Sequence, residues 1–236
     1  MRRPALTLGT YGRVTLAAHF SQPGRAPSRV QVQAVRPGAP QVHPWSADEA
    51  RAFLAAAADD PLYPAFLLLL LYGLRRGEVL GLRWVDVDQE NNEIHIRQQI
   101  HRANGELRIG PVMTSAGRRD LSLLTFASEA LPIRLDVQAA DHAELGRAWQ
   151  DSGLIFTTET GRPIEPRNLI RSFQRICSAH GLRMIKVHHL RHTTATLLKN
   201  LGVPARDAQL ILGHSRMAVT QEIYRGAVRG PACLFC

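Results

Sequence analysis

The segment Val187-His188-His189-Leu190-Arg191-His192 opens a helix that runs to about Leu201. Residues three apart share a helix face, so His188 and Arg191 stand side by side. A guanidinium beside an imidazole suits a phosphate: the first is a two-pronged donor, the second transfers a proton. His188 and His192, four apart, also have zinc-chelating spacing. No Glu lies between them as in H-E-x-x-H, so the metalloprotease base is missing and the phosphate reading leads.

Three more segments carry chemistry in chain order. Tyr72-Gly73-Leu74-Arg75-Arg76-Gly77-Glu78 follows an apolar run that predicts a buried helix over Tyr63–Leu74, ended by Gly73. Two arginines at a helix end also serve simply to complement the macrodipole. Leu212-Gly213-His214-Ser215 closes a helix over Ala205–Leu212, and Tyr224 lies ten residues beyond His214. Alone, such a His is commonly structural and such a Tyr is commonly packing.

Local patterns supply the frame. Ser46 and Glu49 have capping-box spacing ahead of an Ala-rich helix to about Ala58. A short helix is expected over Arg76–Leu82. Between them and the C-terminal helices the period changes: Glu93–Ile100 and Leu107–Leu123 alternate, with turn signals at Asn91-Asn92 and Asn104-Gly105. Leu124–Trp149 reads as helical with Pro132 breaking it near its start, Leu154–Phe156 as a strand, and Pro166–His180 and Met217–Tyr224 as further helices. The expected class is mainly α with one small antiparallel β-sheet, an α+β fold.

Composition bounds the function. With 236 residues, 45% hydrophobic and 21% charged, the chain can build its own core, which excludes disorder throughout. The longest apolar run, Ala65–Leu74, falls short of the roughly 20 residues a membrane span needs, so no membrane partner is expected. Arg2 and Arg3 are followed by Pro4, Gly9, Gly12 and Arg13 instead of an apolar stretch, which argues against a secretory signal. The net charge of +9 favours a polyanion, nucleic acid first and a membrane surface second. Six of those charges belong to residues 1–40, which hold six Arg and no Asp or Glu, leaving +3 for residues 41–236. Cys177, Cys233 and Cys236 are too few for a disulfide framework, and the single Cys233-x-x-Cys236 reads as plain tail before metal site. A cytoplasmic, nucleoid-associated protein is expected.

Taken in order, Gly-Leu-Arg-Arg-Gly-Glu, His-His-Leu-Arg-His-Thr, Leu-Gly-His-Ser and Tyr resemble the catalytic domain of the tyrosine recombinases, the phage-integrase family. The resemblance spans roughly residues 42–226. It implies that Arg75, His188, Arg191 and His214 surround a DNA phosphate, that Tyr224 is the nucleophile, and that Glu78 supports the site. It further implies double-stranded DNA as partner, self-association into a tetrameric synapse, and neither cofactor nor metal. The domains expected are a basic Pro/Gly-rich tail or linker remnant (1–40), the catalytic domain (41–226) and a short tail (227–236).

Two departures stand out against the family. Its usual lysine, a proton donor on a β-hairpin, corresponds here to Met113, and a thioether supplies no proton. The two lysines in the chain, Lys186 and Lys199, offer no substitute, and Arg118 or Arg119 would compensate only electrostatically. The family's core-binding domain also has no counterpart in forty Pro/Gly-rich residues, so a truncated or decayed product, or an isolated catalytic module, is expected. The competing readings are a non-catalytic DNA-binding remnant and a type IB topoisomerase. A helix-turn-helix repressor would leave Arg75 and His188 unexplained.

Overall fold

Trp45 bonds to segments 138 and 148 residues further along the chain. The computed structural model describes residues 43–213; the tail 1–40, His214, the expected helix Met217–Tyr224 and the Cys233/Cys236 pair lie outside them. The Trp45 backbone N–H donates to Thr193 Oγ1 (3.0 Å), and its indole N–H donates to the Arg183 carbonyl (2.9 Å). Its ring stacks on Phe173 with centroids 5.5 Å apart and leans on Phe53 at 5.2 Å. Phe53 in turn meets Phe66 edge-on at 5.2 Å.

Ser46 Oγ accepts the Glu49 N–H, and Glu49 Oε2 accepts the Ser46 N–H, so α1 (Ala47–Ala56) begins on the expected capping box. Helix α2 (Tyr63–Tyr72) carries Pro64 in its first turn and is buried on nearly every side. It is the central rod of the domain. Around it pack α1, α3 (Arg76–Leu80), α4 (Thr125–Leu145) and α6 (His189–Asn200). Helix α5 (Pro166–Ala179) lies against α1, and α7 (Ala205–Leu212) against α6.

The β region forms two small antiparallel sheets where the alternation suggested one. Strand β2 (Glu93–Ile96) lies between β1 (Val87–Asp88) and β5 (Arg119–Ser122). Strands β3 (Gln98–Ala103) and β4 (Glu106–Pro111) make a separate hairpin. The break falls at Arg97, whose Nη1 donates across to the Arg119 carbonyl (3.2 Å). The hairpin turns on Asn104 (φ +52°) and Gly105 (φ +80°), the paired positive φ values that two-residue hairpin loops require. In β2, Ile94 and Ile96 alternate into the core.

Two further expectations are corrected. Pro132 sits inside α4 without breaking it. An interior proline costs about 3 kcal/mol, and anchors on the next turns offset that. Buried Arg134 donates to the carbonyls of Ile155 (3.1 Å) and Thr157 (2.6 Å), and Gln138 donates to that of Leu154 (2.9 Å). Those same bonds explain why Leu154–Phe156 is no strand: its carbonyls are taken by side chains, and only Leu154 makes a β-bridge, to Arg83. Among the described residues, no helix is long and apolar enough to cross a membrane.

Phe53 is fully buried at the centre of the aromatic cluster. Phe53→Ala is expected to lower the unfolding free energy by about 3–5 kcal/mol, read from the shift in urea midpoint at unchanged slope.

Candidate active site

The site begins at Gly73, where α2 stops. The residue has φ +58°, and a Cβ there would lie 2.4 Å from Leu212 Cδ2 in α7 and 3.2 Å from Thr194 Cβ in α6. Its bare backbone lets the ends of three helices meet. The Gly73 carbonyl accepts a hydrogen bond from Arg191 Nη1 (2.8 Å), so the second arginine reaches the chain two residues before the first.

Arg75 occupies the N-cap of α3 with extended backbone. Glu78, one turn on, accepts the Arg75 backbone N–H at Oε2 (3.0 Å) and its Nη1 at Oε1 (2.6 Å). The other Arg75 terminal nitrogen, Nη2, donates to the carbonyl of Gly213 at the end of α7 (3.3 Å). The Arg75 side chain is one-third exposed while that of Glu78 is 1% exposed, so the pair runs from surface to interior.

Glu78 also holds Arg119, whose Nη2 lies 3.1 Å from Oε2. Burial by itself would raise the Glu78 pKa. The charge of Arg119 and hydrogen bonds from Arg75 and Arg119 outweigh it, and the carboxyl stays ionised below its ordinary range. Arg119 is the functional-site residue that sequence reasoning misjudged: it was expected, like Arg118, to offer charge near Met113. Arg118 is exposed, whereas Arg119 is buried behind the site. The available signal was strand parity, since Arg119 shares a face with Leu121.

Arg191 is 5% exposed, and its pKa is pushed down to about 9. Burial is the main cause and the positive charge of Arg75 the next; Glu78 opposes them and Arg119 adds to them. At neutral pH it remains charged. His188 caps α6 at the exposed edge of the site. Its pKa is lowered by partial desolvation first and then by Arg191, with His189, Arg75 and Arg76 adding to the effect. The structure thus brings Arg75, Glu78, His188 and Arg191 together.

The His192 ring lies 5.8 Å from that of His188 and 5.9 Å from that of His189. Among the described residues, no three His, Cys, Asp or Glu side chains form a metal-binding group. Met113 is 84% exposed on the loop between β4 and β5. His214 follows Gly213 directly in the chain, and both it and Tyr224 lie outside the described residues.

The fold is shared with solved integrases and recombinases. A Tn1549 transposon integrase solved with transposon right end DNA superposes with a TM-score of 0.63 at 24% identity, over 77% of this chain and 61% of that one. XerA recombinase superposes with a TM-score of 0.62 at 25% identity, over 80% and 63%. Residues 45–228 match the phage integrase family, and the chain belongs to it. Among its relatives, a XerC-like tyrosine recombinase of Caldanaerobacter subterraneus subsp. tengcongensis is 28% identical over 208 residues, which is 80% of this chain and 53% of that protein. An integrase of Streptomyces ambofaciens is 30% identical over 187 residues, 77% of this chain and 48% of that protein. The chain spans about half the length of these curated relatives.

Two outcomes test this geometry. Glu78→Gln keeps the shape but strands Arg119 as a buried, uncompensated charge, so unfolding free energy should fall by about 3–5 kcal/mol in chemical denaturation. The second concerns pH. His188, His189 and His192 all titrate below the ordinary 6.5 of an imidazole, chiefly through desolvation. As pH falls through 6.5 the unfolded chain therefore binds protons first, and stability is lost towards the lower folded-state values. Thermal melting from about pH 7 down to about pH 5.5 should show Tm falling, and His192→Gln should make the fall shallower.

Proposed function

We propose that this chain cuts and rejoins duplex DNA at specific sites through a transient 3′-phosphotyrosyl link. The observation that carries the reading is the meeting of Arg75 and Arg191, far apart in sequence, in one pocket where burial first and the charge of Arg75 second depress the Arg191 pKa. Arg75 offers its partly exposed guanidinium to a phosphate, and Arg191 acts from deeper in the pocket. Clustered cations favour the phenolate of Tyr224 over its phenol and stabilise charge gathering on the phosphoryl oxygens. His188, held neutral near pH 7 by its lowered pKa, is the acceptor for the phenol proton. His214 is the further donor to the phosphate.

In the step, the Tyr224 oxygen bonds to phosphorus as the bond from phosphorus to the 5′ oxygen breaks. The leaving 5′ oxygen takes a proton from solvent water and becomes a hydroxyl. Rejoining reverses the exchange, so the phosphodiester energy is conserved and no ATP enters the balance. Met113 stands where the family places the donor of that last proton. Loss of a general acid typically slows a reaction by about 10²–10⁴-fold, so cleavage is slow while duplex binding is retained. Self-association of protomers on the DNA belongs to the same proposal.

Met113 also favours a second reading, a DNA-binding remnant without cleavage. The test is incubation with a pool of nicked suicide duplexes of randomised core sequence. A denaturation-resistant DNA adduct is expected, absent in Tyr224→Phe and formed about tenfold faster or more in Met113→Lys. Duplex binding without any adduct at several salt concentrations replaces the enzyme by the remnant. Relaxation of any supercoiled plasmid, without a defined site, points instead to topoisomerase activity.

A further inference from the structure

Arg119 has three hydrogen-bonding directions, and each goes to a different part of the site. Its Nη2 bonds Glu78 Oε2, the carboxylate that orients Arg75 (3.1 Å). Its Nε donates to the Ile211 carbonyl in the last turn of α7 (2.9 Å). Its Nη1 donates to the Gly117 carbonyl, in the loop that carries Met113 (2.8 Å). That loop is further fixed by Thr114 Oγ1, which accepts the Gly117 N–H (3.2 Å). A Cβ on Gly213 would lie 2.7 Å from Arg119 Nη1 and 2.8 Å from the Ala116 carbonyl, so the end of α7 is pressed directly onto this junction. Arg134 provides the contrast: it too is a buried arginine on carbonyls, but its partners, Ile155 and Thr157, belong to no part of the site.

We propose that Arg119 is a positioning residue that sets the spacing between Arg75, the Met113 loop and the end of α7, from which the chain leaves toward His214. The inference rests on the DNA-cleaving reading of the site. Arg119 is 9% exposed, behind the pocket; it acts through Glu78 and two carbonyls. Its planar fork spans three directions at once, which a lysine ammonium on a flexible stem does not.

Arg119→Lys, made in the full chain, keeps the charge beside Glu78 and loses the fork. With the randomised nicked-duplex pool at saturating concentration, adduct formation should fall about 10²-fold, the scale of an ångström-level misplacement. Duplex Kd should stay within about twofold because the charge is retained. Hydrogen exchange should quicken in residues 113–118 and 205–213 and stay unchanged in α5. Gly213→Ala, whose methyl must displace the guanidinium, gives the same pattern and stands in if Arg119→Lys fails to fold. An adduct rate equal to that of the unaltered chain overturns the proposal, as does an exchange increase spread evenly over the domain. If the unaltered chain forms no adduct, the cleavage reading fails, and the exchange pattern still decides whether Arg119 couples the three parts.

Discussion

Everything in the site depends on how one buried carboxylate handles its cations. The charge of Arg75 lowers the proton affinity of both Arg119 and Arg191, and these two are buried. Desolvated like charges repel, and their burial is tolerated only with compensation. Glu78 supplies it by pairing with Arg75 and Arg119 at once. Three positive charges against one negative leave a surplus, which adds to burial, the larger cause, in pushing the Arg191 pKa down to about 9. Under the proposed function, a phosphodiester arriving at this largely buried surplus would relieve the repulsion the fold maintains.

Element ends do the gathering. α2 ends at Gly73, α3 starts from Arg75, α6 starts beyond His188, and α7 ends at Gly213. Both of these glycines take left-handed backbone, and at both a side chain would collide with a neighbouring element. The carbonyls left over where helices end do not go to water. Arg191 takes that of Gly73, Arg75 that of Gly213, and Arg119 that of Ile211. The arginines that give the pocket its charge are therefore also the caps that close the helices, with Arg75 serving the end of α7 and not that of the helix it follows.

Features with local causes were legible in the chain. The Ser46/Glu49 box, the stop at Gly73 and the Asn104-Gly105 turn each depend on residues within one turn of each other, and each formed as read. The misreadings share the opposite cause. Pro132 was outweighed by anchors from Arg134 and Gln138 to a segment some twenty residues away. Leu154–Phe156 gave those side chains the carbonyls a strand would have used. The expected single sheet divided at Arg97, where the chain leaves β2 and its pairing with β5 for a hairpin of its own.

For the site, the kinds of residue and their order were set down in the sequence, because each belongs to a short motif with its own spacing. Local chemistry does not say which charges share a pocket. That Arg119 turns inward while Arg118 faces solvent follows from strand parity, and parity is settled only when β5 pairs with β2. That a buried arginine is tolerated there depends on a carboxylate forty-one residues earlier in the chain. The tertiary structure decided both, since the energy of a buried charge is a property of its surroundings and not of its neighbours in sequence.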